Sequence, residues 1–425
     1  MTRALFIHQN IPGQFRHVIA ALAADPANDV WAIGGDEAAE RAAKLIPGLK
    51  LVSYRMAAVD APAATHPWLA GVDAQVRRGQ TVARALRQMR DKGLAFDVIV
   101  AHPGWGEAMF VKDVFPATPL LTYFEFFYSA AGADVGFDPE FPAAPDDGPR
   151  LRVRNAMHLS ALNACDAGIA PTRWQHARFP KEYQARIAVV HEGVDTHAVR
   201  PDGAARFEWQ GRVFTAGEPI VTYVARNLEP YRGFHVFMRA LPALLAAEPH
   251  AQVIVVGGDD VSYGAPSPHA GGWRGALLDE LARAGTPLDP ARVHFTGKLP
   301  HAEYVKVLQV SAAHVYLTVP FVLSWSMLEA MSAGCLLIAS RTAPVTEVLV
   351  DGENGRLVDF FDRGALVAAI VSALRDATRG RALREAARAT AVQRFDLRTR
   401  CLPAALKLIR SLAVSGVARA PRARR

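Results

Sequence analysis

Two arginines, a glutamate and a Ser-Trp-Ser turn are the residues of this chain best suited to chemistry on a phosphorylated ligand. Arg226 leaves the apolar run IVTYVA directly, and Arg232 and Gly233 follow it in the same short loop. Two guanidiniums beside the amides of a helix start can clamp a diphosphate and stabilise the negative charge that grows on it as it departs. Further on, the β-type run HVYLT leads to Ser324-Trp325-Ser326 and then to a short helix that carries Glu329 and ends at Gly334. Such a turn aims backbone N–H groups at an anion and sets a carboxylate one turn inside the helix. A nucleoside diphosphate bearing a sugar offers a partner to each, oxygens for the amides and ribose hydroxyls for the carboxylate.

The first half of the chain adds a smaller set. Gly13, in HQNIPGQF, sits where a first strand turns into a first helix, and glycine there permits close approach of the backbone to a phosphate or sugar. It is not part of a GxGxxG fingerprint, and no acid follows at the spacing a nicotinamide dinucleotide requires. His102 ends the run VIVAH, where a histidine could polarise a transferred sugar or a nearby hydroxyl. Glu125 lies in an aromatic run (Phe124, Phe126, Phe127, Tyr128) that fits either an acceptor wall or core. Asp259 and Asp260 are adjacent acids with no third ligand close by, and no DxD element separates two strands, so no metal site is expected.

The elements that must hold these residues alternate. Runs at Ala4–His8, Val30–Gly34, Val98–Ala101, Leu120–Phe124, Ala167–Ala170 and Ile187–Val190 read as buried strands, separated by helical patterns such as Gln80–Lys92 and Arg150–Cys165. A loop-rich stretch runs through Pro62 and Pro67. The pattern restarts at Ile220–Ala225 and continues through Gln252–Val256, Val293–Thr296 and the turn before Glu329. Regular alternation predicts an α/β fold of two doubly wound, Rossmann-like domains, with ligands at the carboxyl ends of the strands and a cleft between facing domains. The expected domains are 1–195 and 196–395, followed by a C-terminal helix over 396–412 that crosses back onto the N-domain and a basic, flexible tail over 413–425.

Bulk composition is compatible with this. At 425 residues the chain is too long for one ordinary core, and its 51% apolar content is that of a well-packed protein. No apolar run reaches the ~18 residues of a membrane span, and MTRALFIHQN reads as a strand and not as an export signal. Cys165, Cys335 and Cys401 are far apart in apolar or helical settings, which fits buried thiols in a cytoplasmic protein. The formal charge of +7 comes partly from the final ARAPRARR, and no nucleic-acid motif accompanies it. Attraction to anionic substrates explains the excess, and peripheral contact with the inner face of an anionic membrane stays open.

With these pieces in order, the chain resembles the retaining glycosyltransferases of family 4, which have the GT-B architecture, and a bacterial subgroup of them in particular. The likeness rests on HEGVDTHAVRP, ARNLEPYRGFHVFMRALP, VIVVGGDD, VHFTGKLPHAEYVKVL and the segment from Phe321 to Asp359. It implies a metal-independent enzyme without cofactor that uses a UDP- or GDP-linked sugar and a saccharide, lipid-linked or small-molecule acceptor. By the same likeness Arg226 and Arg232 contact the donor diphosphate, Glu329 the ribose, Gly13 the phosphates and His102 the transferred sugar. The first glutamate of the family's paired element falls on Phe321, so Ser324, Trp325 and Ser326 are expected to stand in on the donor sugar. A nucleotide-sugar epimerase and a non-catalytic nucleotide-sugar binder are the alternatives on this scaffold.

Overall fold

The apolar runs form two parallel sheets. The computed structural model of the protein describes residues 1–56 and 66–419. One compact unit comprises Met1–Gly136, Phe141–Gly193 and the chain from Arg398 onward, and the other comprises Phe137–Glu140 and Val194–Leu397.

In the first unit seven strands run β1 (Arg3–Ile7), β2 (Asp29–Gly35), β3 (Lys50–Tyr54), β4 (Val98–Ala101), β5 (Leu120–Tyr123), β6 (Ala167–Ala170) and β7 (Ile187–Val189). Their order in the sheet is β3-β2-β1-β4-β5-β6-β7, with parallel pairing throughout. Successive residues point to opposite faces, and both faces are apolar. Leu5, Ile7, Ile99 and Ala101 pack with Val82 and Leu86 of the Ala70–Asp91 helix on one side. Ala4, Phe6, Val98 and Val100 pack with Ile19 and Leu22 of the Arg16–Ala23 helix on the other. This double burial is why the strands read as continuous apolar runs and not as alternating ones.

The second unit begins with a hairpin, β8 (Arg206–Trp209) and β9 (Arg212–Thr215), which the sequence reading did not anticipate. Its two turn residues, Gln210 and Gly211, both have positive φ (49° and 79°), as a two-residue hairpin needs. The parallel sheet follows as β10 (Ile220–Asn227), β11 (Gln252–Gly258), β12 (Val293–Gly297), β13 (Ala313–Tyr316), β14 (Leu337–Ser340) and β15 (Arg356–Val358), ordered β12-β11-β10-β13-β14-β15. In each sheet the order reverses at one point, between β1 and β4 and between β10 and β13. The crevice outside such a reversal is where doubly wound sheets bind ligands.

Three expectations about organisation change. The predicted 1–195 domain does not keep Phe137–Glu140, which pack in the second unit. There Asp138 Oδ2 lies 2.8 Å from His235 Nε2, Glu140 pairs with Arg239 at 2.6 Å, and the Phe137 ring meets Phe360 edge-on and Phe361 at a tilt. The tail predicted from residue 413 is helical as far as the structure describes it, within Leu402–Arg419. Ile409 and Ala413 of that helix are buried in the cluster around Phe6 and Ile19, which prolongs the helix past the expected end. Residues 420–425 of the tail, and Pro62 of the loop-rich stretch, lie outside the described residues. Finally, Glu107–Phe115, which as a sequence also reads as a helix, forms only the short helix Val111–Val114. Gly106 has φ +103°, outside the right-handed helical region, and a Cβ there would stand 2.2 Å from the Gln75 carbonyl oxygen, so the chain turns at a position only glycine fits.

Burial also sets how stability responds to acid. His8 (2% exposed), His191 (6%) and His314 (0%) lose their hydration, which lowers their pKa values to about 4, about 4 and about 3. Each has a folded pKa below the ~6.5 of an unfolded chain, so between those values the unfolded state binds the extra proton. Stability is therefore full above pH ~6.5 and falls by roughly 1.4 kcal/mol per pH unit per histidine as pH drops toward 4. Urea unfolding midpoints measured at pH 7, 6, 5 and 4.5 should decline steadily; a flat profile would mean that these rings are hydrated.

Candidate active site

The predicted donor residues of the second unit gather at the carboxyl ends of β10 and β13, but in different environments. Arg226 is the penultimate residue of β10, and its exposed side chain has no hydrogen bond or ion pair among the described residues. Arg232 is buried, 8% exposed, in the single 3-10 turn Pro230–Arg232. Its Nη1 donates to Thr318 Oγ1 at 2.8 Å and to the Val322 carbonyl at 3.0 Å, both on the segment that follows β13. The Arg232 carbonyl accepts from the Tyr223 hydroxyl at 2.7 Å, which fixes the turn from beneath. No carboxylate lies within ion-pair distance of Arg232 among the described residues. The acid next to it in sequence, Glu229, is 1% exposed and turns its Oε2 onto the amides of Ser262, Tyr263 and Gly264 (3.3, 3.1 and 3.0 Å). The Glu229 charge favours the guanidinium from a distance without pairing with it, so a direct anionic partner can still be added.

Arg232 and the Ser-Trp-Ser turn are joined through Tyr316. Its hydroxyl accepts from Ser324 N at 2.9 Å and lies 3.5 Å from Arg232 Nη1. Ser324 is the N-cap of the Trp325–Ser332 helix, its Oγ accepting from Ser326 N at 3.3 Å and meeting Ser326 Oγ at 2.9 Å. This Oγ satisfies one helix-start donor, and Trp325 is 46% exposed beside it. One turn on, Glu329 accepts from the Tyr304 hydroxyl at 2.9 Å and meets His301 Nε2 at 3.0 Å. Those partners aim both carboxylate oxygens and leave further lone pairs for hydroxyls. Phe321, at the position of the missing acid, is buried against Tyr231 and Tyr263 (5.6 and 5.0 Å between ring centres), and Tyr263 faces the Arg232 guanidinium at 5.4 Å. An aromatic wall therefore stands where the resemblance expects a carboxylate. Asp259 pairs with Arg274 and Asp260 with Lys298 (2.7 and 2.8 Å), so the adjacent acids serve two separate ion pairs.

In the first unit, His8 follows β1 and His102 follows β4, the two strands at the reversal point. Their rings are 5.1 Å apart, with Trp105 packed on both. Backbone amides fix both tautomers: Asn10 N donates to His8 Nδ1 (2.8 Å) and Gly104 N to His102 Nδ1 (3.0 Å), so the remaining ring proton of each neutral imidazole sits on Nε2. Burial, reinforced by His8, holds the His102 pKa well below its ordinary value, so the ring is neutral at pH 7. Gly13 has φ +47°, and a Cβ there would come within 2.6 Å of His8 Nε2. Its lack of a side chain is thus spent first on the imidazole of His8. The sequence reading missed His8 and Gln14; a histidine at the end of the first strand, matching the one at the end of VIVAH, was the available signal.

Two sheets of this strand order, each with its polar residues at the reversal point, define the GT-B class of fold. The structure superposes on sucrose-phosphate synthase from Thermosynechococcus elongatus (TM-score 0.71, 19% identity, covering 98% of this chain and 100% of that one). It also superposes on Anabaena HepE, solved in complex with UDP-glucose (TM-score 0.65, 17% identity, 98% and 100%). In sequence, residues 26–199 match the profile of the glycosyl transferase family 4 group, and residues 218–376 match that of glycosyl transferases group 1. The chain belongs to the GT4-type glycosyltransferases. Among its relatives is the GDP-mannose-dependent α-(1-6)-phosphatidylinositol monomannoside mannosyltransferase of Mycolicibacterium smegmatis, 28% identical over 249 residues, which are 56% of this chain and 60% of that enzyme. The chain thus aligns with under two thirds of that relative's length.

Proposed function

We propose that this protein transfers a sugar from a nucleoside diphosphate to a hydroxyl acceptor, with retention of anomeric configuration and without a metal ion. The observation that carries the reading is Arg232, a buried cation at a sheet reversal point with no carboxylate partner among the described residues. An arginine held on two oxygens and engaged in no direct ion pair suits a diphosphate, whose charge grows as its bond to the sugar lengthens. Arg226 is assigned to the same diphosphate, Glu329 to the ribose, and the Ser324, Trp325 and Ser326 turn to sugar or phosphate oxygens. Gly13 is assigned to the phosphate side, and His102 to a hydroxyl of the reacting partners. In the mechanism we favour, the departing diphosphate takes the proton of the incoming hydroxyl on the face it leaves. In this reading the second unit is the donor domain, and the first unit, which includes the Leu402–Arg419 helix, is the acceptor-side domain.

A UDP- or GDP-linked hexose is the proposed donor, since HepE was solved with UDP-glucose and the mycobacterial relative is named for GDP-mannose. The latter name also supports a lipid-linked, polyhydroxylated acceptor. Thermal-shift screening of UDP- and GDP-sugars tests the donor: at a hundred times its Kd a ligand adds about 2.7 kcal/mol of stability. The bound donor is then incubated with candidate acceptors in EDTA, and the anomer of the product is read by NMR. An inverted product, or activity abolished by EDTA, refutes the corresponding part of the proposal. Epimerised donor without acceptor would replace it by an epimerase, and tight binding with neither transfer nor hydrolysis by a sensor.

A further inference from the structure

The polar residues at the reversal point of the first sheet leave one position unfilled. His102 is 3% exposed, and its Nε2, which carries the ring proton, has no hydrogen-bond partner among the described residues. The Nε2 lies 3.9 Å from Glu125 Oε2. That gap is too long for a direct hydrogen bond, yet a single oxygen can sit within ~2.8 Å of both atoms. The oxygen must accept from Nε2–H and donate to a carboxylate, and a hydroxyl does both.

Glu125 is held from the other sides. Its carbonyl accepts from the buried Gln175 Nε2 at 2.6 Å, which anchors the backbone just beyond β5. Its Oε1 is approached by Gln14 Nε2 at 3.5 Å. The orientation of Gln14 is set in turn by His8, whose Nε2–H donates to Gln14 Oε1 at 2.7 Å and so leaves the amide nitrogen facing the acid. A one-way relay, Asn10 N–H to His8, His8 to Gln14 and Gln14 to Glu125, thus converges on the carboxylate opposite His102. The Glu125 side chain is 33% exposed, so solutes can reach this acid although His102 behind it is buried.

We infer that Glu125, with His102 and Gln14, is a hydroxyl-binding site of the first unit, taking one hydroxyl of a sugar or polyol between Glu125 Oε2 and His102 Nε2. This inference rests on the sugar-transfer reading and extends it to two residues that reading does not use. The hydroxyl can belong to the transferred sugar or to the acceptor, and the test separates the two sources.

The experiment uses the full chain as wild type, Glu125→Ala and the isosteric Glu125→Gln, which guards against loss of fold. Calorimetric titrations are made with UDP, GDP, UDP-glucose and GDP-mannose, and with myo-inositol and methyl α-D-mannopyranoside in the presence of the nucleoside diphosphate that binds. If the hydroxyl is the donor's, Glu125→Ala weakens the nucleotide sugar about 10-fold or more while the matching nucleoside diphosphate stays within twofold. A merely structural role would weaken both. If it is the acceptor's, nucleotide-sugar affinity is kept and polyol binding falls by the same factor. Variants that fold and leave all these affinities unchanged overturn the inference, the gap then holding a bridging water only. A wild-type protein that binds none of the four nucleotides overturns the sugar-transfer reading itself, and this site with it.

Discussion

Arg232→Ala is expected to lower kcat by about 10²–10³-fold, the usual cost of removing a preorganised donor aimed at developing negative charge. Some of the damage will be structural. Alanine leaves the Val322 carbonyl without the guanidinium that reaches it at 3.0 Å and removes the donor to Thr318 Oγ1, in a segment that is buried on both sides. A buried polar group left unpaired costs about 1–3 kcal/mol, so the variant should melt earlier as well as turn over slowly. Arg226→Ala separates the two effects. Arg226 is exposed and has no partner to lose among the described residues, so its melting temperature should match wild type while its turnover falls. Arg232→Lys keeps the charge but not the two-oxygen geometry and should recover only part of the rate. Release of nucleoside diphosphate at saturating donor is the readout. Wild-type kcat in a folded Arg232→Ala protein would remove this residue from the diphosphate site.

Gly233→Ala should be the most damaging small substitution in the second unit. Gly233 has φ +64°, a conformation that costs a residue with a Cβ roughly 1–2 kcal/mol. The added methyl would stand 2.4 Å from Leu317 Cβ and 3.2 Å from the Phe360 ring. Leu317 is 2% exposed at the end of β13, so it can yield only by moving the sheet, and overpacking of this kind costs about 1–3 kcal/mol. The total is roughly 2–5 kcal/mol. Because Gly233 N closes the Pro230–Arg232 turn onto the Pro230 carbonyl at 2.8 Å, the strain falls on the Arg232 guanidinium, and turnover should drop with stability. Gly217 is the control. Its φ is +97°, but nothing lies within 4 Å of an added Cβ, so Gly217→Ala bears the conformational cost without the clash. Equal urea midpoints for the two variants would show that packing around Gly233 is looser than its distances indicate.

How much of this was legible beforehand depended on range. Arg226, Arg232, His102 and Glu329 could be singled out because each follows an apolar run by a few residues, and doubly wound sheets bind ligands at the carboxyl ends of their strands. The partners of those residues could not be found that way. Glu329 is aimed by Tyr304 and His301 from an earlier helix, and Arg232 by Thr318 and Val322 across the sheet reversal. The Glu125 side chain, compatible with either core or wall as a sequence, meets Gln14 from 111 residues away.

The sequence by itself determined the alternation of strands and helices, the restart of the pattern near Ile220, and the chemical types available at the strand ends. These are local properties, carried by the periodicity of apolar residues along a few turns or strands. Only the tertiary structure decided which of these groups meet. The order β3-β2-β1-β4 sets β1 beside β4, bringing His8 next to His102, while contacts with His235, Arg239 and Phe360 place Phe137–Glu140 in the second unit. No periodicity encodes those meetings, because they depend on which faces of distant elements must be buried together.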